Sequence, residues 1–182
     1  MEEDIRICKQ LGVDGVVIGC LNADGTLDMD ANRRLVEAAE GMSVTFHRAF
    51  DRCNNPHEAL CQLMKLGIYR VLTSGQQPTA EQGIPLLKEL NALADDRITI
   101  LAGCGVNESN IRKIHELTGV HEFHFSARTA VKSRMQYINP DVYMGTKDAD
   151  EGTLMYTSAK RVKATIRMCQ NSIIRAESPI ST

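Results

Sequence analysis

The chain has 182 residues, 43% of them hydrophobic, and its 21 Lys plus Arg against 23 Asp plus Glu leave a formal net charge of -2. That is room for one domain with a buried core, without the basic patch of a nucleic-acid binder or an apolar run long enough to cross a membrane. The six cysteines (Cys8, Cys20, Cys53, Cys61, Cys104 and Cys169) form no C-x-x-C pair, which argues against a structural zinc site and a disulfide-stapled secreted domain. The start is acidic at Glu2, Glu3 and Asp4, the reverse of a signal peptide. The expectation is a reduced cytoplasmic protein, with the nucleus also open to it.

The first element is a helix over residues 4–11, ended by Gly12. An apolar run, Gly15-Val16-Val17-Ile18-Gly19, follows at once. The same junction recurs at Gly41 before Ser43-Val44-Thr45-Phe46, at Gly67 before Arg70-Val71-Leu72-Thr73, and at Gly119 before Glu122-Phe123-His124-Phe125. A glycine just past a helix takes the left-handed conformation without a Cβ clash, so these are helix-stop, strand-start junctions. Helix starts are marked too. Asn55 can cap with Pro56 at the first position and Glu58 as capping-box partner. Thr79 and Gln82 repeat that spacing, and Asn107 can cap a helix with Ile111, Ile114 and Leu117 on one face.

Strands are therefore expected near 15–19, 43–48, 69–74, 97–102 and 121–126, spaced as strand–helix units with parallel crossovers. After Arg128 the rhythm fails. Val142-Tyr143-Met144 is a short apolar run, Lys147 to Gly152 is polar, and a last helix carries Val162, Ile166, Cys169 and Ile173. One domain over 1–174 with a flexible tail at 175–182 is expected. The class is α/β, either a five-stranded open sheet or a TIM-type barrel, here incomplete with about five parallel strands. A full (β/α)₈ barrel typically needs ~250 residues.

In such folds the working residues sit at the carboxyl ends of strands. The second strand ends in His47, Arg48 and, shortly after, Asp51; the fifth ends in His124, Ser126 and Arg128. Period-2 alternation sets Glu122, His124 and Ser126 opposite Phe123 and Phe125, and Thr45 and His47 opposite Val44 and Phe46. A sheet buried on both faces would be apolar throughout. The polar set instead suits a lumen, with Phe46 and Phe125 turned toward the helices. One such histidine reads as a hydrogen-bonded core residue; two, each near an arginine, favour a site. His47, Arg48, Asp51 and His124 are the candidate acid–base and catalytic group. Gly103-Cys104-Gly105 opens into a helix, a geometry that exposes backbone N–H groups to an anion. With Thr73, Ser74, Gly75, Ser126 and Arg128 these glycines form the candidate anion-binding set. Cys104 alone lies in the glycine turn, with Cys20 after the first strand as a second thiolate.

These motifs, Val44-Thr45-Phe46-His47-Arg48-Ala49-Phe50-Asp51, Arg70 to Gly75, Glu122 to Arg128, Asp14 to Gly19 with Asp24-Gly25, and Gly103-Cys104-Gly105, resemble those of the CutC copper homeostasis family. The resemblance runs from about residue 3 to 173. It implies a TIM-type barrel, a cytosolic location, copper binding or copper tolerance, and homo-oligomers; Cys104 stands where the family's turn is often glycine at its centre, and is this chain's own candidate copper(I) ligand. It also implies longer members with three more strand–helix units at the start, carrying glutamate–cysteine motifs on the first two strands and an Arg-Pro-Arg motif after the third. This chain has none of these motifs and reads as a truncated form. The expected partners are the copper ion and a small anionic ligand, with neither nucleic acid nor membrane. An enzyme acting on a small anionic or phosphorylated substrate and a non-functional truncated form are the alternatives.

Overall fold

The computed structural model describes residues 1–145 and 150–176, as backbone only from residue 170 on. Five strands, β1 (Gly15–Ile18), β2 (Ser43–Phe46), β3 (Arg70–Thr73), β4 (Thr99–Gly103) and β5 (Glu122–His124), form one sheet in the order β1-β2-β3-β4-β5, every pair parallel. The helices are α1 (Glu2–Gln10), α2 (Met29–Ala38), α3 (Pro56–Lys65), α4 (Ile84–Ala94), α5 (Ile111–Thr118) and α6 (Ala159–Ala176). The sheet does not close on itself: β1 and β5 each have one neighbour, so the architecture is an open arc of (β/α) units. No helix among the described residues is long and apolar enough to cross a membrane.

The local chemistry explains these boundaries. Gly12, Gly41, Gly67 and Gly119 all adopt positive φ, from 71° to 85°, at the helix ends. The Asn55 side chain accepts the Glu58 N–H at 3.2 Å, with Pro56 opening α3. Asp28 caps α2 in the same way through the Ala31 N–H at 2.9 Å.

Four expectations need correction. Thr79 does accept the Gln82 N–H at 3.3 Å, but in a separate turn; α4 starts at Ile84, where Pro85 fits the first turn. The N-cap of α5 is Asn110 rather than Asn107, and its buried stripe is Ile111, Ile114 and Thr118, with Leu117 exposed. On α6 the covered stripe is Thr165, Met168 and Cys169, while Ile166 faces solvent; Ile173 lies outside the described side chains. The stretch after Arg128 is not featureless. β6 (Arg128–Lys132) and β7 (Thr153–Thr157) form an antiparallel hairpin, an arm with Val142, Tyr143 and Met144 exposed in its connection. Of the polar run, residues 147–149 lie outside the described residues, as does the expected tail from residue 177.

The register fixes which side chains share a face. Val17, Thr45 and Arg70 are aligned across β1 to β3, and Leu72, Leu101 and Glu122 across β3 to β5. On the opposite face Ile18, Phe46, Val71, Ile100 and Ala102 are fully or almost fully buried, packed in one core with Leu60, Leu63, Leu87, Leu90 and Ile114 of the helices. The two faces differ sharply in cover. Phe46 is 0% exposed, whereas Val17 is 62% exposed. By this parity His47 and His124 stand on the open face and Phe46 and Phe125 on the helix face.

A polar rim at the carboxyl ends of the strands

After β2 the chain enters a 3₁₀ turn, Arg48–Arg52, begun by His47. The His47 Nδ1 accepts the Ala49 N–H at 3.1 Å, so the neutral ring carries its proton on Nε2. The ring lies over Gly19, where a Cβ would come within 2.7 Å of it. That close approach requires glycine at the end of β1.

The turn delivers Asp51 to the loop after β3, with its side chain only 6% exposed. The carboxylate accepts the Thr73 hydroxyl at 2.5 Å, the Ser74 N–H at 3.0 and 3.1 Å, and the Gln76 N–H at 3.1 Å. Arg48 Nε donates to its other side at 2.7 Å. Arg48 Nη2 also donates to the Ser74 hydroxyl at 2.9 Å, and that hydroxyl donates to the Gln77 carbonyl at 2.5 Å. The hydrogen bond that Arg48 donates to Asp51 holds the Arg48 pKa above its ordinary value; burial opposes this, and the negative charge of Asp51 and the nearby Cys104 add to it. Gly75 is pressed so tightly on Gly83 that a Cβ would lie 2.4 Å from the Gly83 carbonyl oxygen. Thr73, Ser74 and Gly75 are buried and form the wall of the rim, not an open cradle.

Cys104 adopts φ 79° and Gly105 φ 73°. The turn is held from inside. The Cys104 carbonyl accepts the Ala80 N–H at 2.9 Å, and the Gly105 carbonyl accepts the side-chain amides of Asn107 and Asn110, both at 2.9 Å. The N–H groups of Asn107 and Ser109 go to the side chains of Asn110 and Asn107, at 2.9 and 2.8 Å. The Asn107 and Ser109 N–H groups are thus engaged within the turn itself. The Cys104 thiol donates to the Pro78 carbonyl at 3.1 Å.

Beyond this turn lies a cleft of about 320 Å³ lined by Cys104, Gly105, Asn107, His124, Ser126 and Arg128, with Arg161 of α6 at its edge. Sequence reasoning missed Arg161, because no local pattern on α6 tells which turn faces the rim. Its guanidinium grips Glu108 at 2.9 and 3.0 Å and bonds the Arg128 carbonyl. Arg161 lowers the Glu108 pKa through that hydrogen bond. Arg128 makes no ion pair among the described residues. Arg70 was also missed: it reaches from β3 across β4 to Glu122, a bridge over the open face.

Arg48, Asp51, Thr73 and Ser74 thus meet in one network, and Cys104, Gly105, His124, Ser126 and Arg128 line one cleft. Cys104 touches both. His47 shares the open face with His124 but stands three strand spacings away, about 14 Å along the sheet. Cys20 lines a different cleft, between α1 and α2. The described residues contain no group of three or more His, Cys, Asp or Glu placed to hold a metal ion.

Fold and rim together define an α/β protein of the (β/α)-barrel type, open in this chain, with its polar residues gathered at the strand ends. The CutC family profile matches residues 1–129. The CutC family protein of Bacteroides fragilis is 55% identical over 174 residues, 95% of this chain and 69% of the relative. That of Histophilus somni is 46% identical over 170 residues, 93% and 70% of the two chains. The chain belongs to the CutC family. A solved Streptococcus agalactiae structure, titled as a copper homeostasis protein, CutC, superposes with a TM-score of 0.65 at 33% identity over 68% of this chain; the chain spans 60% of that one. A structure of native KDPGal superposes with a TM-score of 0.57 at 15% identity over 96% of this chain, a likeness of fold alone.

Proposed function

We propose that the chain serves copper homeostasis in the cytoplasm, taking copper(I) as its cargo at the rim cleft through the Cys104 thiolate beside His124. One observation carries this. Cys104 occupies a left-handed backbone conformation, φ 79°, that costs an L-residue about 1–2 kcal/mol and suits glycine. A non-glycine residue held there presents a soft sulfur donor to an open cleft, and soft thiolates select copper(I). The role is the one the Streptococcus agalactiae relative is named for. Competition with a chromogenic copper(I) chelator tests it: Cys104→Ser should weaken binding at least tenfold and His124→Ala by less. Unchanged affinity in Cys104→Ser overturns the assignment.

A second function, binding of a small anionic or phosphorylated ligand, is favoured by Arg128. It stands in the same cleft beside Ser126 without a carboxylate partner among the described residues. Calorimetric titration with inorganic phosphate should show binding that Arg128→Ala weakens by ~1.5–3 kcal/mol. No heat in the unmodified protein, or none lost in the variant, removes this function.

A further inference from the structure

A groove of about 610 Å³ runs between α1 and α2, lined by Glu2, Arg6, Lys9 and Gln10 of the first helix and Arg34 and Glu37 of the second. Helix period sets the two facing stripes. Glu2, Arg6 and Lys9 recur every three or four residues on α1, as Arg34, Glu37 and Ala38 do on α2, while Ile5 and Leu35 turn into the core. Two guanidiniums from different helices converge there on one carboxylate. Arg34 donates through Nε to Glu2 Oε1 at 2.8 Å and through Nη2 to the same oxygen, and Arg6 donates through Nη2 to Glu2 Oε2 at 3.3 Å. The hydrogen bond from Arg34 holds the Glu2 carboxyl below its ordinary pKa, so the group is ionised at neutral pH. Lys9 and Glu37 also face the groove, and neither makes an ion pair among the described residues. Glu2, Arg6 and Arg34 wall the neighbouring cleft of about 470 Å³ as well, so the Glu2 carboxylate stands where two clefts meet.

Glu2 fills this fork with a single charge from the chain itself. The groove lining holds three cations against two carboxylates, which leaves a positive balance. A free monocarboxylate gains nothing over a carboxylate already tethered beside the fork. A phosphate monoester does. It brings close to two negative charges and three acceptor oxygens, and arginine pairs with phosphate bidentately. The remaining lining describes the rest of such a ligand. Gln10 and Glu37 can hydrogen-bond hydroxyl groups, and Ala38 is the one apolar side chain of the lining, which gives an acyl chain or aromatic ring no seat. The volume lies in the range of small-molecule sites.

We infer that the groove between α1 and α2 binds a small hydroxylated phosphate monoester, its phosphate seated between Arg6 and Arg34 in place of the Glu2 carboxylate. Glu2 is then the internal competitor of a site apart from the rim cleft of Arg128. Nitrogen-15 NMR titration of the full chain with glycerol 3-phosphate, up to 20 mM, tests this. The Arg6 and Arg34 Nε–H signals and the Lys9 amide should shift together. Glu2→Gln, which removes the competing charge and keeps the shape, should tighten binding at least threefold. Arg34→Ala should weaken it at least tenfold, and Arg34→Lys, which keeps the charge without the fork, by less. Arg128→Ala should leave these shifts in place, which separates the groove from an anion site at the rim. Acetate and glycerol at the same concentration should move none of the three signals. No shift at Arg6 and Arg34 by 20 mM, binding no tighter in Glu2→Gln than in the unmodified chain, or an equal response to acetate overturns the inference.

Discussion

Asp51 accepts the backbone N–H of Ser74 through both carboxylate oxygens, at 3.0 and 3.1 Å, and so ties the turn after β2 to the loop after β3. Thr73 and Gln76 complete the cradle, and Arg48 supplies the countercharge. With every acceptor direction engaged, the carboxylate works as a positioning group for the rim. Removing it would leave buried donors without partners.

Asp51→Ala should therefore cost about 3 kcal/mol of stability, measured as a shift in the urea midpoint at constant slope. Asp51→Asn should recover only part, since an amide offers one acceptor oxygen where the carboxylate uses two. Arg48→Ala should cost about 1 kcal/mol or less, because the guanidinium is 42% exposed and largely solvated already. Equal losses for the three variants would mean that the carboxylate is not the organising group.

Cys53 gives the pH dependence. Burial pushes its thiol up from 9.0 to about 11, the negative charge of Asp51 adds to this, and a hydrogen bond from Gln76 opposes it. The folded chain then keeps a proton that the unfolded chain releases above pH 9. Stability from this group is fully present below that pH and declines as the pH rises toward 11. The urea midpoint should fall between pH 8.5 and 10.5, and Cys53→Ala should flatten that fall while lowering the midpoint at neutral pH. A variant with an unchanged slope against pH would refute the assignment.

The elements that sequence patterning made legible are those whose signal is local. A glycine stop, an Asn55-Pro56 start and a β-branched run each act within one turn, so the five strands of the sheet lie within about two residues of expectation. The alternation of His124 with Phe123 and Phe125 likewise reports a face, because period 2 is a backbone property. Rim contacts are non-local and were not legible. Nothing near Arg161 says that it meets Glu108, and nothing near Asp51 says that it will hold Ser74. The hairpin escaped for another reason. The stretches 128–132 and 153–157 pair across some twenty intervening residues, and neither buries the alternating face that makes a strand stand out.

Cys104 makes a prediction on stability separate from its chemistry. Its φ of 79° is favourable for glycine and strained for a residue with a Cβ. Cys104→Gly should raise stability by about 1 kcal/mol, or the melting temperature by about 2–4 °C, while removing the thiol from the cleft. Cys104→Ala, which keeps the Cβ, should not. If both variants melt below the unmodified chain, the thiol's bond to the Pro78 carbonyl outweighs the backbone strain.

The two faces of β1 supply the last test. Val17 and Ile18 are adjacent, both apolar and β-branched, yet Val17 is 62% exposed on the open face and Ile18 2% exposed against the helices. Parallel sheets normally carry cover on both faces; here the open face has polar relief from Arg70 and Glu122 and partial cover at Leu72 and Leu101. The hydrophobic effect scales with area removed from water, so the two adjacent aliphatic positions must differ in what they contribute. Ile18→Ala should cost about 2–5 kcal/mol, as a core truncation does. Val17→Thr should change stability by less than about 0.5 kcal/mol. The open face should also bind a hydrophobic dye in the native state, and Val17→Lys should reduce that fluorescence with no loss of cooperativity in the melt. A costly Val17→Thr, or dye binding that ignores Val17→Lys, would mean that another surface covers this face in solution.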